Sequence, residues 1–177
     1  MTPVGVVDLG TSSTRLLITD GAHRHAPAPV VTRLGAGLAS TGRIGVDGLE
    51  RLRTTLEQFR ADIRDAGVER LEVIATSAAR DASNTDDLTD VVHAVLGVDV
   101  RVLSGSEEGR LAFAGATSAA ADLPETQRLV VLDVGGGSTE VSVGTRAGGL
   151  IGVHSADIGA GRDNYAYLHA DPPQPQE

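Results

Sequence analysis

Apolar residues along this chain recur with two different periods, and the switching between them lays out the elements. Short apolar runs bounded by small or polar residues predict strands over Val4–Leu9, Arg15–Asp20 and Val30–Leu34. The stretch Gly35–Gly45 is rich in Gly, Ser and Thr and reads as a loop. From Asp47 the spacing becomes helical: Leu49, Leu52, Leu56, Phe59 and Ile63 share one face, while Arg53, Glu57, Arg60 and Arg64 take the other. Asp47 with Glu50 reads as the capped start of this helix and Gly67 as its stop. A strand over Leu71–Ala75, a loop over Thr76–Asn84 and a helix capped by Thr85, with Leu88, Val91, Val92, Val95 and Leu96 as its buried stripe, follow in turn. Val98–Leu103 is the next strand, and Ser104 with Glu107 offers a capping box for a helix running to about Ala121.

The second part of the chain returns to short strands. Asp122-Leu123-Pro124-Glu125 marks a boundary, so that one unit spans residues 1–122 and a second spans 128–177. Strands are expected over Arg128–Asp133, Thr139–Gly144 and Leu150–His154, with a short helix near Tyr165–His169. Strands alternating with helices after an opening meander predict an α/β layer fold, and the later meander repeats the opening one without helices of its own. Its apolar face, including Val130, Leu132, Val141 and Val143, is expected to lack cover and to invite self-association or disorder.

Composition narrows the chemistry. The net charge of −9 argues against a large nucleic-acid surface but not against small phosphate ligands. All 15 basic residues are arginine, which removes the lysine phosphate loop and Schiff-base chemistry. Phosphate contacts must then come from Arg forks, backbone N–H groups, hydroxyls or a metal. There is no cysteine, charges interrupt every apolar stretch, and no basic segment precedes an apolar core at Met1-Thr2-Pro3-Val4. A soluble, cytoplasmic protein with no membrane partner is the expectation.

One frame of ten positions occurs twice. Val7-Asp8-Leu9-Gly10-Thr11-Ser12-Ser13-Thr14-Arg15-Leu16 and Leu132-Asp133-Val134-Gly135-Gly136-Gly137-Ser138-Thr139-Glu140-Val141 share apolar, Asp, apolar, Gly, two small residues, Ser, Thr, charge, apolar. Each reads as strand, tight turn, strand. Small residues let the backbone approach a ligand and aim its N–H groups at an anion. Asp8 and Asp133, at the strand ends, can hold a hydrated divalent cation. Two facing copies would clamp phosphate groups with a metal between them, and Ser13, Thr14, Ser138 and Thr139 would add hydroxyl donors.

Two further segments are candidates. Ser104-Gly105-Ser106-Glu107-Glu108-Gly109-Arg110 sits where a strand gives way to a helix, so that one acid can cap and the other can face a cleft. Ala75–Asn84 follows a buried strand and carries an isolated Arg80 that can fork onto phosphate. The five His are scattered, with no pair at ligand spacing on one helix face.

Together these segments resemble the exopolyphosphatase / guanosine pentaphosphate phosphohydrolase (Ppx/GppA) family of the actin-like ATPase superfamily. The resemblance rests on Asp8–Leu16, Arg33–Leu38, Ala75–Asn84, Leu103–Leu111, Asp133–Glu140 and Asp157–Arg162 with Asp171-Pro172-Pro173. It implies a ribonuclease H-like lobe with a mixed sheet and flanking helices, plus the opening meander of a second similar lobe. It also implies Mg2+-dependent release of terminal phosphate from polyphosphate or guanosine pentaphosphate. By motif position, Glu108 would be the general base, and Asp8, Asp133 and Glu140 would hold metal or orient water. Gly135, Gly136, Gly137, Ser138 and Thr139 would bind phosphate from one side, and Gly10, Thr11, Ser12, Ser13 and Arg15 from the other, with Arg80 gripping the phosphate chain. Ser12 stands where the family usually has Asn. The family continues well past residue 177, so this chain alone is expected to be weakly active or inactive. The alternative is a module that binds guanosine tetra- or pentaphosphate or polyphosphate without turnover.

Overall fold

The structure, a computed structural model, describes residues 2–120 and 122–162; the helix expected near Tyr165–His169 and the Asp171-Pro172-Pro173 segment lie outside them. The first sheet is built from β1 (Val4–Leu9), β2 (Thr14–Thr19), β3 (Arg24–His25), β4 (Arg70–Ala75) and β5 (Val100–Val102), in the order β3-β2-β1-β4-β5. β1, β2 and β3 pair antiparallel, whereas β4 and β5 join β1 in parallel. Parallel neighbours need crossovers, and helices supply them.

Those crossover helices are α2 (Val46–Asp65) and α4 (Thr85–Leu96). Leu52, Leu56 and Phe59 of α2 and Leu88 and Val92 of α4 meet Val7, Leu9, Leu16, Ile18 and Val73 of the sheet in one buried cluster. Each such side chain contributes about 1.5–3 kcal/mol when fully buried. Capping differs from expectation in detail. α2 begins one residue before Asp47, on Gly45, and Asn84 rather than Thr85 precedes α4. The Asn84 amide instead ties Ile44 through its N–H and C=O, and the Thr85 hydroxyl donates back to the Ala79 and Ala82 carbonyls.

Three local expectations are corrected. The third strand is Arg24–His25, not Val30–Leu34, of which only Val30 bridges Thr14. Beyond Val30 the segment runs along the β1–β2 turn, and Arg33 in it adopts φ 52°, the one positive φ outside glycine among the described residues. The loop Gly35–Gly45 contains the short helix α1 (Leu38–Thr41), set between left-handed Gly37 and Gly42. The loop Thr76–Asn84 contains another, α3 (Ser77–Asp81).

The second sheet has the order β6-β7-β8, with β6 (Leu129–Val134), β7 (Thr139–Thr145) and β8 (Gly149–Ala156) all antiparallel. It does have helical cover, on one face. Helix α5 (Gly105–Ser118), opened by the Ser104–Glu107 capping box, packs on β6, β7 and β8. Gly105 and Gly109 share one face of α5. A Cβ at Gly105 would come 2.3 Å from Ser155 Oγ, and one at Gly109 2.4 Å from Val153 Cγ2, so bare backbone lets the helix lie close to the sheet. The other face is open: Val130, Leu132, Val134 and Ile151 are exposed, Leu132 by 62%, with Val141 at the exposed limit and Val143 half-buried. Among the described residues no helix is long and apolar enough to cross a membrane.

Candidate active site

The two copies of the repeated frame become two hairpin turns of the same construction. Gly10 N–H donates to Ser13 O at 3.0 Å in the β1–β2 turn, and Gly135 N–H donates to Ser138 O at 2.9 Å in the β6–β7 turn. The turns touch. A Cβ at Gly136 would lie 2.3 Å from Ser12 Oγ, and one at Gly137 2.7 Å from Thr11 Oγ1, so a side chain at either position would push the facing hydroxyl aside.

Each turn is held from behind by a strap of backbone. Gly35 N–H and Arg33 N–H donate to Thr11 O and Ser12 O, both at 2.9 Å. On the other turn, Ala160 N–H donates to Gly135 O at 3.0 Å, Gly161 and Arg162 N–H to Gly136 O at 2.8 and 2.9 Å, and Arg162 Nε to Gly137 O at 2.7 Å. In a trans peptide the N–H points opposite to the preceding C=O. Tying those carbonyls back therefore turns the N–H groups of Ser12, Ser13, Gly136, Gly137 and Ser138 to the front. None of the five donates a hydrogen bond among the described residues. Their front is a cleft of about 280 Å³ lined by both turns, Asp8, Arg15, Thr76, Asp133 and Glu108. Convergent free N–H groups of this kind bind anions.

Asp8 and Asp133 end equivalent strands on opposite walls. Asp8 lies across the ladder from Arg15, and Asp133 across from Glu140. Asp8 Oδ1 is buried without a hydrogen-bond partner. Burial pushes the Asp8 carboxyl above its usual range; the Arg15 charge opposes this and the Asp133 charge adds to it. Among the described residues no three His, Cys, Asp or Glu cluster as a ready metal cage.

Glu108 projects from the first turn of α5 into the same cleft, its side chain only 17% exposed. Arg80 of α3 pairs with it: Nη1 lies 2.7 Å from Glu108 Oε2 and also donates to Leu103 O, while Nη2 donates to Ser138 Oγ at 3.3 Å. Burial raises the Glu108 carboxyl above its ordinary value; the Arg80 hydrogen bond opposes the rise, and the charges of Glu140 and Asp133 add to it. A carboxylate of raised basicity in a cleft is suited to taking a proton.

Several expected site residues lie elsewhere. Glu140 is 1% exposed and sits under α5, where Oε1 accepts from Ser155 Oγ at 2.8 Å and Oε2 has no partner. It reaches the cleft through its effect on Glu108 and does not line it. The Thr139 hydroxyl donates to Ile158 O at 2.7 Å, and Thr14 Oγ1 is buried against Thr32 Oγ1 at 3.0 Å, so neither hydroxyl faces an anion. Arg162, Ser77 and Asp81 are gained: Arg162 pairs with Asp81 and donates to Ser77 Oγ. Both segments, Ala75–Asn84 and Asp157–Arg162, carried the family resemblance in the sequence, but nothing in it pointed one at the other.

Comparison with known proteins matches the chain to one family. The profile of the Ppx/GppA phosphatase family matches residues 19–177. Exopolyphosphatase 2 of Mycobacterium tuberculosis is 38% identical, the match taking in 100% of this chain and 58% of that protein. Exopolyphosphatase 1 of Mycobacterium bovis is 34% identical over 96% of this chain and 50% of its own length. Among solved structures, an exopolyphosphatase-like protein superposes with TM-score 0.90 at 36% identity, covering 99% of this chain and 56% of that one. The Ppx/GppA family member of Aquifex aeolicus does so with TM-score 0.74 at 30% identity, covering 99% of this chain and 57% of that one. A Bacteroides thetaiotaomicron protein with an actin-like ATPase fold shares the fold at 9% identity and TM-score 0.54. The chain spans 50–58% of the length of these exopolyphosphatase relatives.

Proposed function

Since this chain belongs to the Ppx/GppA phosphatase family, we propose that its cleft hydrolyses the terminal phosphoanhydride of polyphosphate or guanosine pentaphosphate in the presence of Mg2+. The observation that carries this reading is the set of five unpaired N–H groups, drawn from two facing turns, that share one cleft with Glu108. Phosphoryl transfer asks for positioning and charge neutralisation more than for covalent chemistry. The N–H groups of both turns would grip the terminal phosphate oxygens, and Arg15 would hold the next part of the chain from the β2 side. Glu108 would take a proton from the attacking water as the water oxygen bonds to phosphorus. The phosphorus–bridging-oxygen bond then breaks, and the shortened chain leaves with the electron pair.

The residues present fit Mg2+. That ion keeps most of its waters and is commonly bound by one or two carboxylates plus substrate phosphates. Asp8, with its buried and unpartnered Oδ1, and Asp133 offer that set. When bound, Mg2+ supplies neutralisation of the phosphate charge. Asp8 and Asp133 would hold the ion beside the phosphate end, and Glu140 keeps Glu108 basic from below. Arg80 exchanges Glu108 for a phosphate oxygen, which frees the carboxylate for the water.

The Arg80–Glu108 pair at 2.7 Å also favours a second reading, binding without turnover, in which the pair never opens. Phosphate release from polyphosphate and from guanosine pentaphosphate with Mg2+, on the chain and on Glu108→Gln, separates the two. Release that Glu108→Gln abolishes supports hydrolysis. Saturable binding without release supports the module, and no binding of either compound overturns both.

A further inference from the structure

The rear of the second turn carries a contact that the proposed hydrolysis does not use. Arg162 lies on the far side of the turns from the cleft, in a separate cavity of about 300 Å³ lined also by Thr11, Leu38, Ser77, Asp81 and Gly137. It does not line the cleft onto which the N–H groups of both turns open. Its guanidinium instead makes three bonds in two directions. Nε donates to Gly137 O at 2.7 Å; Nη2 donates to Ser77 Oγ at 3.2 Å and pairs with Asp81. The first belongs to the second sheet's turn and the other two to α3, which leaves the end of β4 in the first sheet.

The geometry of the peptide unit gives this contact a consequence. Gly137 O and Ser138 N–H belong to one trans peptide and point in opposite directions. Glycine at 137 has no side chain to restrict that plane, so something else must fix it. Backbone N–H groups already hold Gly135 O and Gly136 O, whereas Gly137 O has the Arg162 side chain as its partner. The first turn needs no such side chain, because Arg33 and Gly35 N–H hold Thr11 O and Ser12 O directly.

We propose that Arg162 is a positioning residue: by holding the Gly137 carbonyl to the rear, with Ser77 and Asp81 as its anchor on the first sheet's side, it aims the Ser138 N–H at the anion in the cleft. This inference rests on the anion-binding reading of the cleft. α3 then works as a two-pole clasp. Its Arg80 reaches Glu108 of α5 and its Asp81 reaches Arg162, so consecutive residues of opposite charge meet opposite partners on the second sheet's side. The Arg80 contact opens when phosphate arrives, and the Asp81–Arg162 contact stays closed behind it.

The test uses the full chain and inorganic tripolyphosphate as probe, with isothermal titration and amide hydrogen exchange. Arg162→Gln lowers tripolyphosphate affinity about tenfold or more, as expected for losing an anchored donor. It also speeds exchange at Gly136–Ser138 without ligand, while amides of β1 and β4 keep their protection. Exchanging the charges, Asp81→Arg with Arg162→Asp, restores the ion pair but offers Gly137 O no donor, so affinity stays low. Full recovery in the exchanged variant would show a mere staple and overturn the proposal, as would wild-type affinity and exchange in Arg162→Gln. If the unaltered chain binds no tripolyphosphate, the anion reading fails, and exchange at Gly136–Ser138 still decides the role of Arg162.

Discussion

Gly159→Ala is a one-carbon perturbation of the strap behind the second turn. The added Cβ would sit 2.6 Å from Gly137 N and 2.7 Å from both Gly136 C and Gly137 C. All three are backbone atoms, so no side chain can swing aside. To reach the 3.4 Å of an ordinary contact the strap must retreat by about 0.8 Å. That retreat stretches the bonds from Ala160, Gly161 and Arg162 N–H, now 2.8–3.0 Å, toward or past the limit of useful hydrogen bonding. Overpacking of this kind costs about 1–3 kcal/mol. If it falls on the arrangement of the turn, tripolyphosphate affinity drops by about 5- to 150-fold. The control is Gly115→Ala on the exposed side of α5, where the new Cβ meets nothing within 4 Å. There the helix gains about 1 kcal/mol in propensity and binding stays unchanged. Calorimetric titration and thermal unfolding of both variants give the comparison. Wild-type affinity in Gly159→Ala would refute the claim that the strap sets the N–H geometry.

Asp8→Asn should stabilise the protein at neutral pH by on the order of 1 kcal/mol. Because the native Asp8 carboxyl holds its proton above the usual 3.8, stability is fully present below that value and falls as pH rises through the native pKa. The gain in melting temperature over the unaltered chain must therefore be larger at pH 7 than at pH 4, and any Mg2+-dependent shift must vanish; an equal gain at both pH values contradicts the assignment. Ser104→Ala removes the capping box of α5 and costs about 1 kcal/mol in denaturant unfolding, since the Ser104 hydroxyl accepts from Glu107 N–H and the Glu107 carboxylate accepts from Ser104 N–H. Leu132→Asp on the open face of the second sheet should shift any self-associated form toward monomer in sedimentation velocity without changing tripolyphosphate affinity; an unchanged distribution moves the contact elsewhere.

How much of this was legible in the sequence depends on the range of the contact concerned. The twin turns could be read because each is local, with its Gly, small residues and hydroxyls contiguous, and their common construction survives as Gly10–Ser13 and Gly135–Ser138 bonds. Helices α2 and α4 could be read because several turns of apolar spacing specify a face. α1 and α3, of 4 and 5 residues, are too short to show a period. The strand after β2 was misplaced because Val30 and Val31 look like a strand, whereas His25 wins the pairing with Ile18 through the tight Asp20–His23 turn. Within the site, Thr139 and Glu140 follow the turn in sequence, yet they leave the cleft as β7 begins: Thr139 is tied to Ile158, and Glu140 lies on the face covered by α5. Arg162 meets Ser77 across 85 residues, a separation that no local pattern encodes. The cover of α5 on the second sheet was hidden for a similar reason, since Gly105 and Gly109 look like helix weakeners until Ser155 and Val153 lie against them.

The most direct measurement is a titration of the isotope-labelled chain with tripolyphosphate and Mg2+, followed at the amide resonances of Ser12, Ser13, Gly136, Gly137 and Ser138. All five should move together along one binding curve, because the N–H groups of both turns line one cleft. Response from one turn alone, or two curves of different affinity, would contradict it.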